Sequence, residues 1–301
     1  MQYENGSSTF PPSEEDGVER WESARTKRYG KMFGTLIGIF ITSTAIVIGA
    51  DSAASVDDGT VEYIREPGKT CRTGPASVAT IQGHYKIEFG PTGAVWLIDS
   101  FHEICESLEK KVVPLEEQAH MIMEKLQTQL NEQLSKIDQT HVNKLFHKSP
   151  HINYVSVSGY EKGDPTVVVQ ELLLDRTEDG RWTTTVSAMP NLIPRKCGVR
   201  FHGEDWMANY LLGDFYGPLP FSPSDLDREA VVAGFRVAQT GGCLELTEEK
   251  AIKLFDTAVR LTTKYGHKKG MRGGHVGGRR DIWVIPVNGD AKYNPLSEST
   301  R

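Results

Sequence analysis

Cysteine is scarce. Of 301 residues only Cys71, Cys105, Cys197 and Cys243 are cysteines, with no CxxC pair among them, which excludes a zinc knuckle and a dense disulfide scaffold. Free thiols in a reducing compartment are the expectation. An excess of positive charge is also missing: 34 lysines and arginines stand against 40 aspartates and glutamates, a formal net charge of −6. No whole-chain field therefore draws in nucleic acid. Metal-ligand spacing is poor, because Pro150 falls between His147 and His151 and breaks the helix that would align two histidines four apart. No metal, no cofactor and no nucleic-acid partner are expected.

What is present is an ordinary globular balance, 38% hydrophobic and 25% charged, in a chain long enough for two average domains or one large one. Residues 1–34 are mostly polar, with a short helix possible from Asp16 to Tyr29, and read as an N-terminal extension or propeptide. The longest uncharged run is Met32–Ala50, nineteen residues. It has three readings. A secretion signal is favoured by the basic residues before it and the small ones after it, but it starts some thirty residues in. A spanning helix would only just cross a bilayer, and many of its residues are β-branched. Two strands, 35–42 and 45–50, suit that composition best, and no membrane association is expected. The turn between them, Thr42-Ser43-Thr44, lacks the Gly, Asn or Asp of an obvious hairpin.

Further along, 77–87 reads as a third extended stretch and 93–111 as a helix. A second helix opens at Pro114, with Ile122, Leu126, Leu130, Leu134 and Ile137 on one face at the 3.6-residue period. From 152 a meander of strands follows, punctuated by GlyAsp and AspGly turns. Residues 213–225 read as a loop, and Thr247 caps a last helix that reaches about Tyr265. A glycine-rich basic loop, 266–280, reads as a solvated turn before a final strand ending near Val287. Residues 288–301 read as a tail. This order implies an α+β fold, a four-layer αββα sandwich of two antiparallel sheets flanked by helices, spanning 35–287.

The stretch GTLIGIFITSTAIVIGADSAAS resembles the opening of proteasome-type subunits of the 20S kind, which are N-terminal-nucleophile hydrolases. The spacing adds to the likeness: Thr35 to Asp51 is sixteen residues, Asp51 to Lys69 eighteen, and Lys69 to Gly83 fourteen. The resemblance implies that Thr35 is the nucleophile, freed by cleavage of the Gly34–Thr35 bond. It implies Lys69 and Asp51 as the charged pair beside Thr35, and Gly83 as the oxyanion donor. The chemistry is coherent, because a chain-terminal α-amine with a reference pKa of about 7.7 to 8.0 serves as base toward its own hydroxyl. Taken singly, Thr35 is also a plain strand former, Asp51 a strand-end residue, Lys69 a loop charge and Gly83 a bulge position.

The likeness has departures. A supporting serine would fall near Gly203, and an acid and hydroxyl on Gly273 and Val276, leaving His202, Glu204 or His275 as replacements. The resemblance implies a threonine-type amidohydrolase or endopeptidase acting on peptide or protein substrates in a homo- or hetero-oligomeric ring, in the cytoplasm. A non-catalytic subunit that keeps its extension is the structural alternative. A secreted or anchored binding protein with 32–50 as its signal is the third.

Overall fold

A computed structural model describes residues 35–55, 61–63, 68–83, 86–88, 94–136, 151–188, 198–203, 246–266 and 276–297. The uncharged run forms strands β1 (Leu36–Ile41) and β2 (Ala45–Asp51), every residue of both buried. Isoleucines at alternate positions turn one side of each strand inward, as a period of two requires. The turn between them is closed by a threonine where a glycine or asparagine was missing. Thr42 Oγ1 accepts from the backbone N–H of Ala45 at 2.9 Å and of Thr44 at 3.2 Å, the side-chain mimicry of a backbone turn.

Two short ribbon strands, β3 (Ala53–Ser55) and β4 (Val61–Tyr63), follow. Next come β5 (Thr70–Gly74), β6 (Ser77–Gly83), β7 (Lys86–Glu88) and β8 (Ala94–Trp96), then helices α1 (Leu97–Leu108) and α2 (Leu115–Leu134). The meander is β9 (His151–Glu161), β10 (Asp164–Arg176) and β11 (Trp182–Ala188). The chain continues with β12 (Val199–Gly203), helix α3 (Glu248–Gly266), β13 (Arg280–Pro286) and β14 (Lys292–Tyr293). The first sheet has the order β12-β1-β2-β13-β14 and the second β11-β10-β9-β6-β5. All pairings are antiparallel.

The sheets face one another across Ile37, Ile39, Ile46 and Ile48 from the first and Val78, Tyr154, Val167 and Val169 from the second. Helix α3 lies on the far side of the first sheet, where Phe255 packs with Leu36, Phe40 and Val47. Its ring sits over the paired glycines Gly38 and Gly49; a Cβ at Gly49 would lie 2.3 Å from that ring. Helices α1 and α2 bury Phe101, Ile104, Ile122, Leu126 and Leu130 against the second sheet. The expected face of α2 is thus buried as far as Leu134, while Ile137 lies outside the described residues.

The four-layer αββα expectation is corrected to a sandwich of two sheets. Five strands about 4.8 Å apart span roughly 20 Å, and a helix is about 10 Å wide. The one helix on the first sheet therefore leaves much of that face without helical cover among the described residues. Free thiols are corrected as well. Cys71 on β5 and Cys105 on α1 form a disulfide with Cα atoms 6.3 Å apart, while Cys197 and Cys243 lie outside the described residues. No helix among them is long and apolar enough to cross a membrane.

Candidate active site

The β1–β2 ladder pairs Ile37 with Ala50, and that register brings the start of β1 beside the end of β2. The backbone N–H of Leu36 donates to Asp51 Oδ1 at 2.8 Å. Lys69 sits in the turn that enters β5, its backbone carbonyl accepting from Ile81 N–H at 3.0 Å. Its ammonium donates to the same Asp51 oxygen at 2.9 Å and also to the carbonyl of Ala53. Lysine ammonium and the peptide that follows Thr35 thus meet across one carboxylate oxygen. Asp51 Oδ2 accepts from Gly277 N–H at 3.0 Å and Ala53 N–H at 3.3 Å.

Asp51 and Lys69 are both wholly buried, and Thr35 is 1% exposed. Burial pushes the Asp51 carboxyl up and the Lys69 ammonium down from their ordinary values, each opposed by the charge of the other. The donor set decides the charge state. Four donors, three N–H groups and an ammonium, converge on the two carboxylate oxygens and leave little room for a carboxyl proton, so the pair is ionised.

Gly83 ends β6 two residues beyond Ile81, opposite Asn153. Its Cα faces Asn153 and Ile152: a Cβ there would lie 2.2 Å from both Asn153 Oδ1 and the Ile152 carbonyl. Of the four expected residues, Asp51, Lys69 and the Thr35 end of β1 are drawn together, and Gly83 lies two residues beyond Ile81, the position on β6 that holds the Lys69 backbone. Gly203 lies opposite Leu36. A Cβ at Gly203 would come within 1.8 Å of the Thr35 carbonyl, and its φ is +91°, a region glycine tolerates far better than other residues. The missing serine is therefore a position where the two backbones touch.

His202 does not replace it as a proton carrier. Its Nε2 is bonded to the Tyr154 hydroxyl at 2.7 Å, and burial, helped by the Arg200 charge, lowers its pKa to about 3. A ring that stays neutral at such low pH is a feeble base. Glu204, Gly273 and His275 lie outside the described residues.

The sequence does not single out Asp281, Tyr293 or His102, and Arg279 enters it only within the basic loop 266–280. Asp281 is wholly buried; Arg279 donates to its two oxygens at 2.5 and 3.0 Å, and the Tyr293 hydroxyl donates at 2.7 Å. His102 on α1 meets the Gly68 carbonyl. The one signal available was an aspartate inside the apolar strand RDIWVIP.

No family model matches the chain, and no curated protein matches it. Among solved structures, the helical assembly of the Anbu complex from Pseudomonas aeruginosa is similar, at 11% identity and a TM-score of 0.48, covering 88% of this chain and 88% of that one. An Anbu (Gly-1) mutant from Hyphomicrobium sp. strain MC1 is similar at 11% identity and a TM-score of 0.44, covering 88% and 89%. These findings correct the resemblance to 20S proteasome subunits. Both of these are Anbu structures, at an identity and score that establish no family.

Proposed function

We propose that the chain is a threonine-type amidohydrolase, cutting peptide or protein amides after its own Gly34–Thr35 bond is cleaved. The observation that carries this reading is the wholly buried Lys69–Asp51 pair, which shares a carboxylate oxygen with the N–H immediately after Thr35. Burying two charges is expensive, and an apolar pair would stabilise a sandwich equally well. A strongly perturbed charged pair at a strand end is what a reaction centre needs.

In this reading the freed α-amine of Thr35 takes the hydroxyl proton as the oxygen attacks the substrate carbonyl. The ammonium of Lys69 lowers the proton affinity of that amine and offsets developing negative charge, while Asp51 holds Lys69 in place. Gly83 N–H is assigned the oxyanion. Collapse of the tetrahedral intermediate breaks the C–N bond, the departing amine takes the proton from the Thr35 amine, and water then hydrolyses the ester.

A second reading, an unprocessed scaffold subunit, is favoured by one observation, the burial of Thr35. Intact mass and turnover of a peptide amide separate the two. The enzyme reading expects a wild-type chain beginning at Thr35 that hydrolyses the amide, and a Thr35→Ala chain that keeps all 34 leading residues and is inert. Wild-type protein that retains those residues and leaves the amide untouched refutes the enzyme reading and establishes the scaffold.

A further inference from the structure

The two halves of the ion pair come from opposite sheets. Lys69 enters β5 of the second sheet, whereas Asp51 ends β2 of the first. The lysine therefore reaches across the interior, while its backbone carbonyl is held on its own sheet by Ile81 N–H. The first sheet also contacts the turn that carries it.

That contact comes from β13. Asp281 and Trp283 are two apart on one strand, so they share its inward face. They touch the residues on either side of Lys69. The Asp281 carboxylate lies against Gly68: a Cβ at that glycine would be 2.0 Å from Oδ2, and its φ is +71°. Trp283 Nε1 donates to Thr70 Oγ1 at 3.0 Å. Tyr293 on β14 touches both members of this pair, bonded to Asp281 and with its ring 5.1 Å from that of Trp283.

Pairing with Arg279 alone does not account for Asp281. Arg279 is partly exposed, and a carboxylate at the rim would satisfy it without the cost of full burial. What distinguishes Asp281 is that its charge is sunk against the backbone of residue 68, one residue from the ammonium of Lys69.

We propose that Asp281, held by Arg279 and Tyr293 and acting with Trp283, is a positioning residue: it clamps the 68–70 turn of the second sheet onto the first and so fixes where the Lys69 ammonium ends. Its role in turnover rests on the hydrolase reading above; its grip on Lys69 does not. The charge also acts directly, since the Asp281 carboxylate helps Lys69 keep its proton against burial. Among the described residues, the titratable and charged groups facing this turn are Asp51 from β2, Asp281 and the neighbouring Arg279 at β13, Tyr293 from β14 and His102 from α1.

Asp281→Asn tests it, because the amide keeps the shape and an acceptor oxygen while losing the charge. Two readouts are taken on the full chain: side-chain NMR of lysine-labelled protein, with Lys69 assigned through Lys69→Gln, and the pH profile of peptide-amide hydrolysis. Removing a nearby negative charge makes Lys69 lose its proton at lower pH. Its titration and the alkaline limb of kcat/KM should both move downward, with kcat reduced about tenfold at unchanged KM. A folded Asp281→Asn protein whose Lys69 titrates as in the wild type overturns the proposal. Should that variant fail to fold, Thr70→Val removes the hydroxyl that accepts from the Trp283 indole N–H at nearly constant side-chain size; kcat lower by about fivefold with KM unchanged supports the clamp, and an unchanged kcat overturns it. If wild-type protein hydrolyses no amide, the hydrolase reading fails. The Lys69 titration then still decides this inference, a downward shift supporting the grip and no shift refuting it.

Discussion

Lys69→Met is the sharpest perturbation of the site, because it removes one charge from a wholly buried pair. Asp51 would keep three backbone donors, Leu36, Gly277 and Ala53 N–H at 2.8, 3.0 and 3.3 Å, but no counter-charge. Breaking a buried pair in this way costs about 3 to 5 kcal/mol, and for a chain of this size that lowers Tm by roughly 10 °C. Urea unfolding followed by tryptophan fluorescence reads the loss as a shift in midpoint at constant slope.

The pH dependence has a definite sign. Burial already raises the Asp51 carboxyl above its ordinary value, and without Lys69 nothing of opposite charge opposes it. A carboxyl that binds its proton more readily folded than unfolded costs stability above its folded pKa, and that cost is relieved as pH falls through it. The deficit of Lys69→Met should thus be largest at alkaline pH and shrink on acidification. Adding Asp51→Asn removes the stranded charge and should recover most of the loss, while peptide-amide hydrolysis stays at least about a hundredfold below wild type. Unchanged stability of Lys69→Met at pH 8, or a deficit that grows toward acid, would refute the buried ionised pair.

Two further expectations concern the neighbours of the pair. Gly203→Ser supplies the hydroxyl that the sequence pattern lacks, yet its Cβ would fall 1.8 Å from the Thr35 carbonyl at a φ of +91°. It should lose about 2 kcal/mol or more in thermal unfolding and gain no activity; a variant as stable as wild type would mean that β12 does not pack there. His202, with its pKa lowered to about 3, should show a neutral ring in NMR spectra at pH 5. Because its folded value lies below the unfolded one, its contribution is complete above about 6.5 and is lost as pH falls toward 3; an imidazole titrating near 6.5 would contradict the burial.

The first two strands were legible because their signal is local. β-branched residues crowd 36–48, and the Leu36-to-Asp51 contact is closed by a hairpin of neighbouring strands. The apolar face of α2 was legible for the same reason, its period surviving in Ile122, Leu126 and Leu130. Lys69 could be singled out only through spacing seen in another family, since β5 reads as the polar string TCRTG and owes its extended form to pairing with β6. Asp281 showed only as an acid inside an apolar strand, and Tyr293 was illegible. Gly277 meets Asp51 across 226 positions of chain, and no period within a window of fifteen residues carries such a contact. The layer count also misled, because element order says which helices exist but not how much sheet each one covers.

The placement of Lys69 and Asp51 on separate sheets gives the molecule an internal gauge of alignment. A slip of one half over the other would leave an ammonium and a carboxylate facing hydrocarbon, with no solvent to receive either. The interior therefore tolerates little gradual drift at this end. The halves stay in register or come apart, and a chemistry built there inherits that sharpness.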